Sequence, residues 1–448
     1  MEKENKMGTV GINKLLITMA LPMMLSMLVQ AMYNIVDSFF VAQFYGAASQ
    51  KPLAALSLCF PIQTLMIAFA GGTSIGVNAM LSRKLGQGDK SGATGVAITG
   101  IILAFITSLI FSVLGGIFST RIFGFFTSDI EIINMASEYI FICTVFSFGS
   151  FLQVMAEKLL ISTGKTVFSM TSQLSGALIN IVLDPILIFG FNMGVRGAAV
   201  ATVIGQWGAM ILAFLLYHFK NTDISLSFKG FKLNPRLVKE IYGIAIPSII
   251  MQSIISIMTV GMNKILADDI AIAVFGLYYK LHSFVFMPIF GLTGAMIPIV
   301  AYNFGARKRK RIEKTIRLSL IISLSIMAIG TILFEMWPAA FLEIFNANAE
   351  LLDMGIPALR IICAGFCFSG FSIVFCSAFQ ALGKAYFSMI VSIARQLVVI
   401  LPLAFILKRL FGLSYVWYSM TTAEVVGALL CFIMYINTKK TVLKKIPE

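Results

Sequence analysis

The chain has 448 residues, of which 58% are hydrophobic and only 12% charged, and its mean hydropathy is +0.92. Soluble domains carry about 25% charged residues, so this composition excludes a soluble globule, a disordered chain, a collagen and a coiled coil, and makes lipid the solvent for most of the protein. The net charge of +14 comes from basic residues lying between apolar runs, a placement that suits membrane topology and anionic lipid headgroups rather than nucleic acid.

Twelve apolar runs follow in chain order, at about 15–40, 53–81, 95–118, 132–161, 166–190, 196–217, 237–266, 271–304, 314–338, 351–381, 384–407 and 413–436. Each reaches the ~20 residues a helix needs to cross the hydrocarbon. The runs are continuous, without the period-2 alternation of a β-barrel. The first is too long for the apolar core of a signal peptide and has no cleavage site after it. All six cysteines fall inside these runs, without CxxC spacing, and read as small core hydrophobes.

Placing the N-terminus inside puts 25 Lys and Arg in inner segments against six in outer loops. The positive-inside rule then expects both termini in the cytoplasm of a multi-pass cell-membrane protein. The ArgLysArgLysArg run at 307–311 reads as an inner-face anchor.

The sequence repeats itself. ThrGlyLysThrValPheSerMet at 163–170 recurs as LeuGlyLysAlaTyrPheSerMet at 382–389, 219 residues on, and Gly86 corresponds to Gly305 at the same offset. Pro22 corresponds to Pro247, and GlyValArgGlyAlaAla at 194 parallels GlyLeuSerTyrValTrp at 412. Six spans per half give both halves one topology, with an N-lobe at 1–217, a linker at 218–236 and a C-lobe at 237–448. Transporter sites form at such repeat interfaces.

Ionisable residues within the bilayer are costly and mark function. Asp37 in the first span and Asp184 in the fifth lie 23 and 19 residues beyond the inner anchors Lys14 and Lys165, so both belong to an outer layer about 30 Å along their helices. Asn180 is one turn below Asp184, Thr202 enters the sixth span at similar depth, and Pro185 is expected to kink the fifth span and free carbonyls beside Asp184. Oxygens of this kind can hold a desolvated Na⁺, or burial can make a carboxyl carry a proton. Gln30, Tyr33 and Asn34 are candidates to line a cavity beside Asp37. Glu157 abuts Lys158 and is expected as a solvated ion pair. Arg395 and Glu424 are expected to pair, and His282 to be a packing residue. Gly71, Gly72 and Gly76 permit close helix approach and, with Pro61, Pro288 and Pro298, are candidate hinges.

No GxxxxGK[ST] phosphate loop, HExxH or GxSxG motif is present, so the sequence points to neither an ATP-driven pump nor an enzyme, and no cofactor is expected. Uphill movement would draw on an ion gradient.

At these residues the chain resembles the multidrug and toxic compound extrusion (MATE) family. The likeness rests on TyrAsnIleValAspSerPhePheValAla in the first span, LeuGlyGlnGlyAsp after the second, and AsnIleValLeuAspProIleLeuIlePheGly leading into GlyValArgGlyAlaAlaValAlaThr across the fifth and sixth. ProIleValAlaTyrAsnPheGlyAla at the end of the eighth and GlnAlaLeuGlyLys at the end of the tenth extend it over nearly the whole chain. The resemblance implies an all-α protein of twelve helices in two pseudo-symmetric six-helix lobes. These would form a V around a central cavity for amphipathic organic cations exchanged for Na⁺ or H⁺. In the branch it looks most like, the cation site lies in the N-lobe, and Asp37, Asn180, Asp184 and Thr202 match its positions, with Gln30 and Tyr33 as neighbours. The acid that many relatives carry in the seventh span is Ile255 here. A flippase for a lipid-linked substrate is the competing expectation; membrane lipids are the other partners expected, and no obligate protein partner is evident.

Overall fold

The structure, a computed structural model, describes residues 5–46, 50–221, 223, 224, 226, 231–345 and 348–446, and leaves out the side chains of 33–35, 37–39, 42 and 50. The described residues fold as helices. A short α1 (Lys6–Thr9) precedes α2 (Ile12–Tyr45), α3 (Gln50–Gly86) and α4 (Lys90–Phe123). Then come α5 (Ile130–Val145), α6 (Phe148–Ser162), α7 (Thr166–Pro185) and α8 (Val195–Lys220). The second half holds α9 (Pro235–Leu266), α10 (Asp269–Gly305), α11 (Arg309–Met336), a short α12 (Pro338–Glu343), α13 (Ala349–Cys363) and α14 (Phe366–Ala381). It closes with α15 (Ala385–Ile393), α16 (Leu401–Phe411) and α17 (Tyr418–Thr441). Asp89, Asp129, Asp268 and Asn348 start their helices by accepting backbone N–H bonds in the first turn, which supplies donors that the helix itself leaves without partners.

Among the described residues ten helices are long and apolar enough to cross a membrane, and two bent pairs, α5 with α6 and α13 with α14, bring the number to twelve when each pair counts as one span. The fold is therefore all-α and membrane-spanning, with Phe105, Ile117, Ile211 and Ile332 among many large apolar side chains left exposed for lipid.

The repeat is written into the backbone. Positive φ recurs at Gly88 and Arg307, at Gly164 and Gly383, and at Gly194 and Gly412, each pair 218 or 219 residues apart. The two bends, 48° and 47°, fall at equivalent positions, residues 146–147 and 364–365. Both have the same repair. Ser112 Oγ donates to Val145 O at 3.0 Å and Thr331 Oγ1 donates to Cys363 O at 3.0 Å, so the broken helices keep their carbonyls satisfied inside lipid. Trp207 Nε1 adds a bond to Phe146 O at 3.1 Å. Of the candidate hinges, α3 runs as one helix through Pro61 and α10 through Pro288 and Pro298. Each break instead lies where neighbouring side chains receive the freed carbonyls.

By packing, the chain divides into one unit of residues 1–5 and 25–249 and another of 6–24 and 250–448. The boundaries fall inside α2 and α9, two residues after Pro22 and Pro247. Within the first unit, a Cβ placed on Gly72 would sit 2.7 Å from the Ile249 amide nitrogen, and within the second a Cβ on Gly291 would sit 2.6 Å from that of Met24. The two contacts are the same contact in the two repeats, since 291 is 219 beyond 72 and 249 is 225 beyond 24. The repeat halves and the packing units are thus different divisions of the chain. The second unit's core gathers around Phe275, Phe366 and Trp417, and a cluster of the first around Val41, Phe123 and Ile188.

Candidate functional site

The site is built on α7 and α8. Ser172, Gly176, Asn180 and Asp184 recur every four residues along α7 and share one face. Gly197, Ala201, Gly205 and Ala209 give α8 a matching stripe of small residues. A Cβ on Gly205 would lie 2.7 Å from Gly176 O and 3.2 Å from Asn180 Cβ, and one on Gly176 would lie 2.8 Å from Ala209 Cβ. The two backbones therefore nearly touch, as small residues allow within lipid.

That approach puts three expected residues together. Asn180 Nδ2 donates to Asp184 Oδ1 at 3.2 Å and lies 3.5 Å from Thr202 Oγ1. Asp184 has no exposed surface and Asn180 only 3%. Asn180 Oδ1 is buried with no partner among the described residues. A buried amide oxygen without a donor costs roughly 1–3 kcal/mol, and next to a carboxylate and a hydroxyl it completes an oxygen set of the kind that suits a hard monovalent cation or a shared proton. After Pro185 the helix widens into a π-helical stretch, Ile186–Gly190, whose closing bond runs from Phe191 N to Ile186 O at 3.0 Å. Such wide turns recur at functional sites. Gly197 fits against it, since a Cβ there would meet Leu187 and Ile188 backbone at 2.9–3.0 Å.

Gln30 joins α2 to the same face: its Oε1 accepts a 2.8 Å bond from Gln173 Nε2. The side chains of Asp37, Tyr33 and Asn34 lie outside the described residues.

Glu157 departs from expectation. It is 7% exposed, and its Oε1 accepts from Gln153 Nε2 at 3.0 Å and from Ser172 Oγ at 3.4 Å. It is a buried acid at the Ser172 end of the α7 ridge, not a solvated partner of Lys158. No local sequence mark announces its burial, which depends on Gln153 one turn away and on Ser172 from α7.

In the second unit Arg395 Nη1 meets Glu424 Oε2 at 2.8 Å, with both side chains about four-fifths buried. Arg395 sits in another π-helical stretch, Ala394–Ile400. His282 stacks on Phe286 with ring centroids 3.5 Å apart and is a packing residue.

An internally duplicated helical membrane protein with a buried oxygen-rich cluster in one repeat fits the architecture of a membrane transporter. The chain belongs to the MatE family: its model matches residues 22–186 and 244–406, one match per repeat. Members of this family are membrane transporters, not enzymes. Among relatives, Multidrug export protein MepA of Staphylococcus haemolyticus (strain JCSC1435) is 30% identical over 431 residues, covering 95% of this chain and 94% of that protein. Among solved structures, a crystal structure of MATE in complex with MaD3S shares 25% identity with a TM-score of 0.92, covering 99% of this chain and all of that one. The outward-facing conformation of a multidrug resistance MATE family transporter of the MOP superfamily also gives 0.92, at 24% identity over 99% of each chain.

Proposed function

We propose that the protein exports amphipathic organic cations in exchange for Na⁺ or H⁺, by rocker-switch alternating access, from the cell membrane with both termini in the cytoplasm. The likeness to MepA over nearly the full length of both chains supports multidrug export. The observation that carries the coupling site is the buried Asn180 amide oxygen, which has no partner among the described residues, one helical turn from a fully buried Asp184. Asp184, Asn180, Thr202 and Asp37 are its residues. Register supports the fourth. Gln30 bonds Gln173, and α2 and α7 begin at the same basic end. Seven residues further along each helix stand positions 37 and 180, so Asp37 belongs at the level of Asn180.

Gln30 is the proposed substrate-path residue beside this site; Tyr33 and Asn34, whose side chains lie outside the described residues, remain candidates for the same path. The coupling ion is held when the site faces out and is released when it faces in, where a cationic substrate replaces it. The flippase reading finds no supporting observation. Of the two deep cations that could meet a lipid phosphate, Arg395 is neutralised by Glu424, and Lys280 Nζ lies over the Phe345 ring, 5.7 Å from its centroid.

The test is ethidium accumulation in inverted membrane vesicles under an imposed Na⁺ gradient and, separately, an imposed pH gradient. Accumulation responding to one of them carries the proposal; accumulation indifferent to both overturns it.

A further inference from the structure

The two repeats differ at their basic ends, and the difference marks a ligand site. In the second unit, the segment leading into α2 is seated on the turn between α10 and α11. Asn303 Nδ2 donates to Met7 O at 3.1 Å, and Lys308 Nζ to Gly8 O at 3.1 Å. Arg311 Nη2 donates to Met7 O at 2.9 Å and to Val10 O at 2.7 Å. Met7 and Asn303 are wholly buried. The space is filled.

The counterpart in the first unit is residues 231–237, leading into α9, over the turn between α3 and α4. Here Gly92 stands 219 residues before Arg311, and Gly95 stands 219 before Lys314. With neither side chain present, a cavity of about 710 Å³ opens. Lys84, Lys232 and Arg236 give it a cationic wall, and Ile98, Phe231 and Leu237 an apolar one. Two acids temper the charge: Asp89 lies 3.0 Å from Lys84, and Glu240 lies 3.7 Å from Arg236. Lys232 is exposed and adds a further positive charge. α4 and α9 are both candidate membrane spans that begin here, which puts the cavity at the ends of two spans, where a bilayer's headgroup layer begins.

We propose that this cavity binds the headgroup phosphate of an anionic phospholipid, with Lys232, Arg236 and Lys84 on the phosphate and the first acyl carbons against Ile98, Phe231 and Leu237. Charge complementarity selects the anionic lipid over phosphatidylcholine, and each lysine or arginine at a membrane surface shifts binding about fivefold. The site stands apart from the coupling cluster, and either reading can fail without the other.

The experiment counts lipids retained by the purified full-length protein, by native mass spectrometry during titration with phosphatidylglycerol or phosphatidylcholine. Glycerol 3-phosphate serves as the soluble control. Gly95→Phe is the sharp variant. The Gly95 position faces open space, its nearest atom being Leu237 Cδ2 at 4.0 Å, so a ring fits there, fills the cavity and leaves every charge in place. The expected result is one tight phosphatidylglycerol in the wild type, weakened at least tenfold by Gly95→Phe and about 25-fold by Lys232→Gln with Arg236→Gln. Lys444→Gln with Lys445→Gln should leave it unchanged. Undiminished binding of the first lipid in a monodisperse Gly95→Phe protein overturns the site; should that variant not fold, unchanged binding in the double glutamine variant does so. Equal binding of glycerol 3-phosphate overturns the assignment to lipid.

Discussion

Asn180 donates to Asp184 from one helical turn below, at 3.2 Å, while its own amide oxygen has no partner among the described residues. The pair is preorganised by the contact of Gly176 with Gly205, and its geometry is sensitive to the donor. Asn180→Leu removes the donor and the oxygen together. Gradient-driven efflux should fall at least tenfold, while apparent stability changes by no more than about 1–3 kcal/mol, the worth of one buried hydrogen bond. Transport assays on matched expression levels, with thermal unfolding in detergent, check both halves.

The Gly72–Ile249 contact predicts a stability effect with no bearing on the ion. A Cβ at Gly72 meets Ile249 at 2.5–3.0 Å, backbone included, so Gly72→Ala should cost about 1–3 kcal/mol through overpacking. Gly243 on α9 has nothing within 4 Å of an added Cβ; Gly243→Ala should be neutral or stabilising by up to about 1 kcal/mol through helix propensity. The thermal midpoint of Gly72→Ala should fall, while that of Gly243→Ala should hold or rise.

Arg395 and Glu424 form a mostly buried ion pair. Removing one charge strands the other, so Glu424→Gln should destabilise by about 3 kcal/mol. Arg395→Met with Glu424→Met should recover most of that loss. A double variant no better than the single one would show that the pair is not the source of the cost.

Asp89 caps α4, and its carboxyl is held below the usual carboxylate range by the Gly92 N–H first and by Lys84 second. A depressed folded pKa contributes stability that is complete above the ordinary carboxylate range and is lost as pH falls through the depressed value. The wild type should therefore lose thermal stability on acidification more steeply than Asp89→Asn, and the gap between them should close toward low pH. Parallel curves over that window would contradict the assignment.

Much of this was legible in the sequence, for identifiable reasons. Twelve apolar runs give twelve spans because lipid leaves the backbone few alternatives to helix. Asn180, Asp184 and Thr202 could be grouped from depth alone, since a helix converts residue count into height. The bends at 146–147 and 364–365 were not legible. They depend on Ser112 and Thr331 reaching across from other helices, a tertiary fact with no local mark, whereas the prolines that do mark the sequence are absorbed without a break. Glu157 was misread because its burial depends on Ser172 and Gln153, and a neighbouring lysine suggested solvent. The division of α2 and α9 between packing units was equally hidden, since the backbone contacts at Gly72 and Gly291 that accompany it are tertiary.

The most direct test of the coupling site is ethidium efflux from proteoliposomes bearing Asp184→Asn, with and without Asp37→Asn, under the gradient that drives the wild type. Efflux should lose its response to that gradient while the protein stays folded and still binds ethidium. Gradient-driven efflux at the wild-type rate in the double variant would contradict the account.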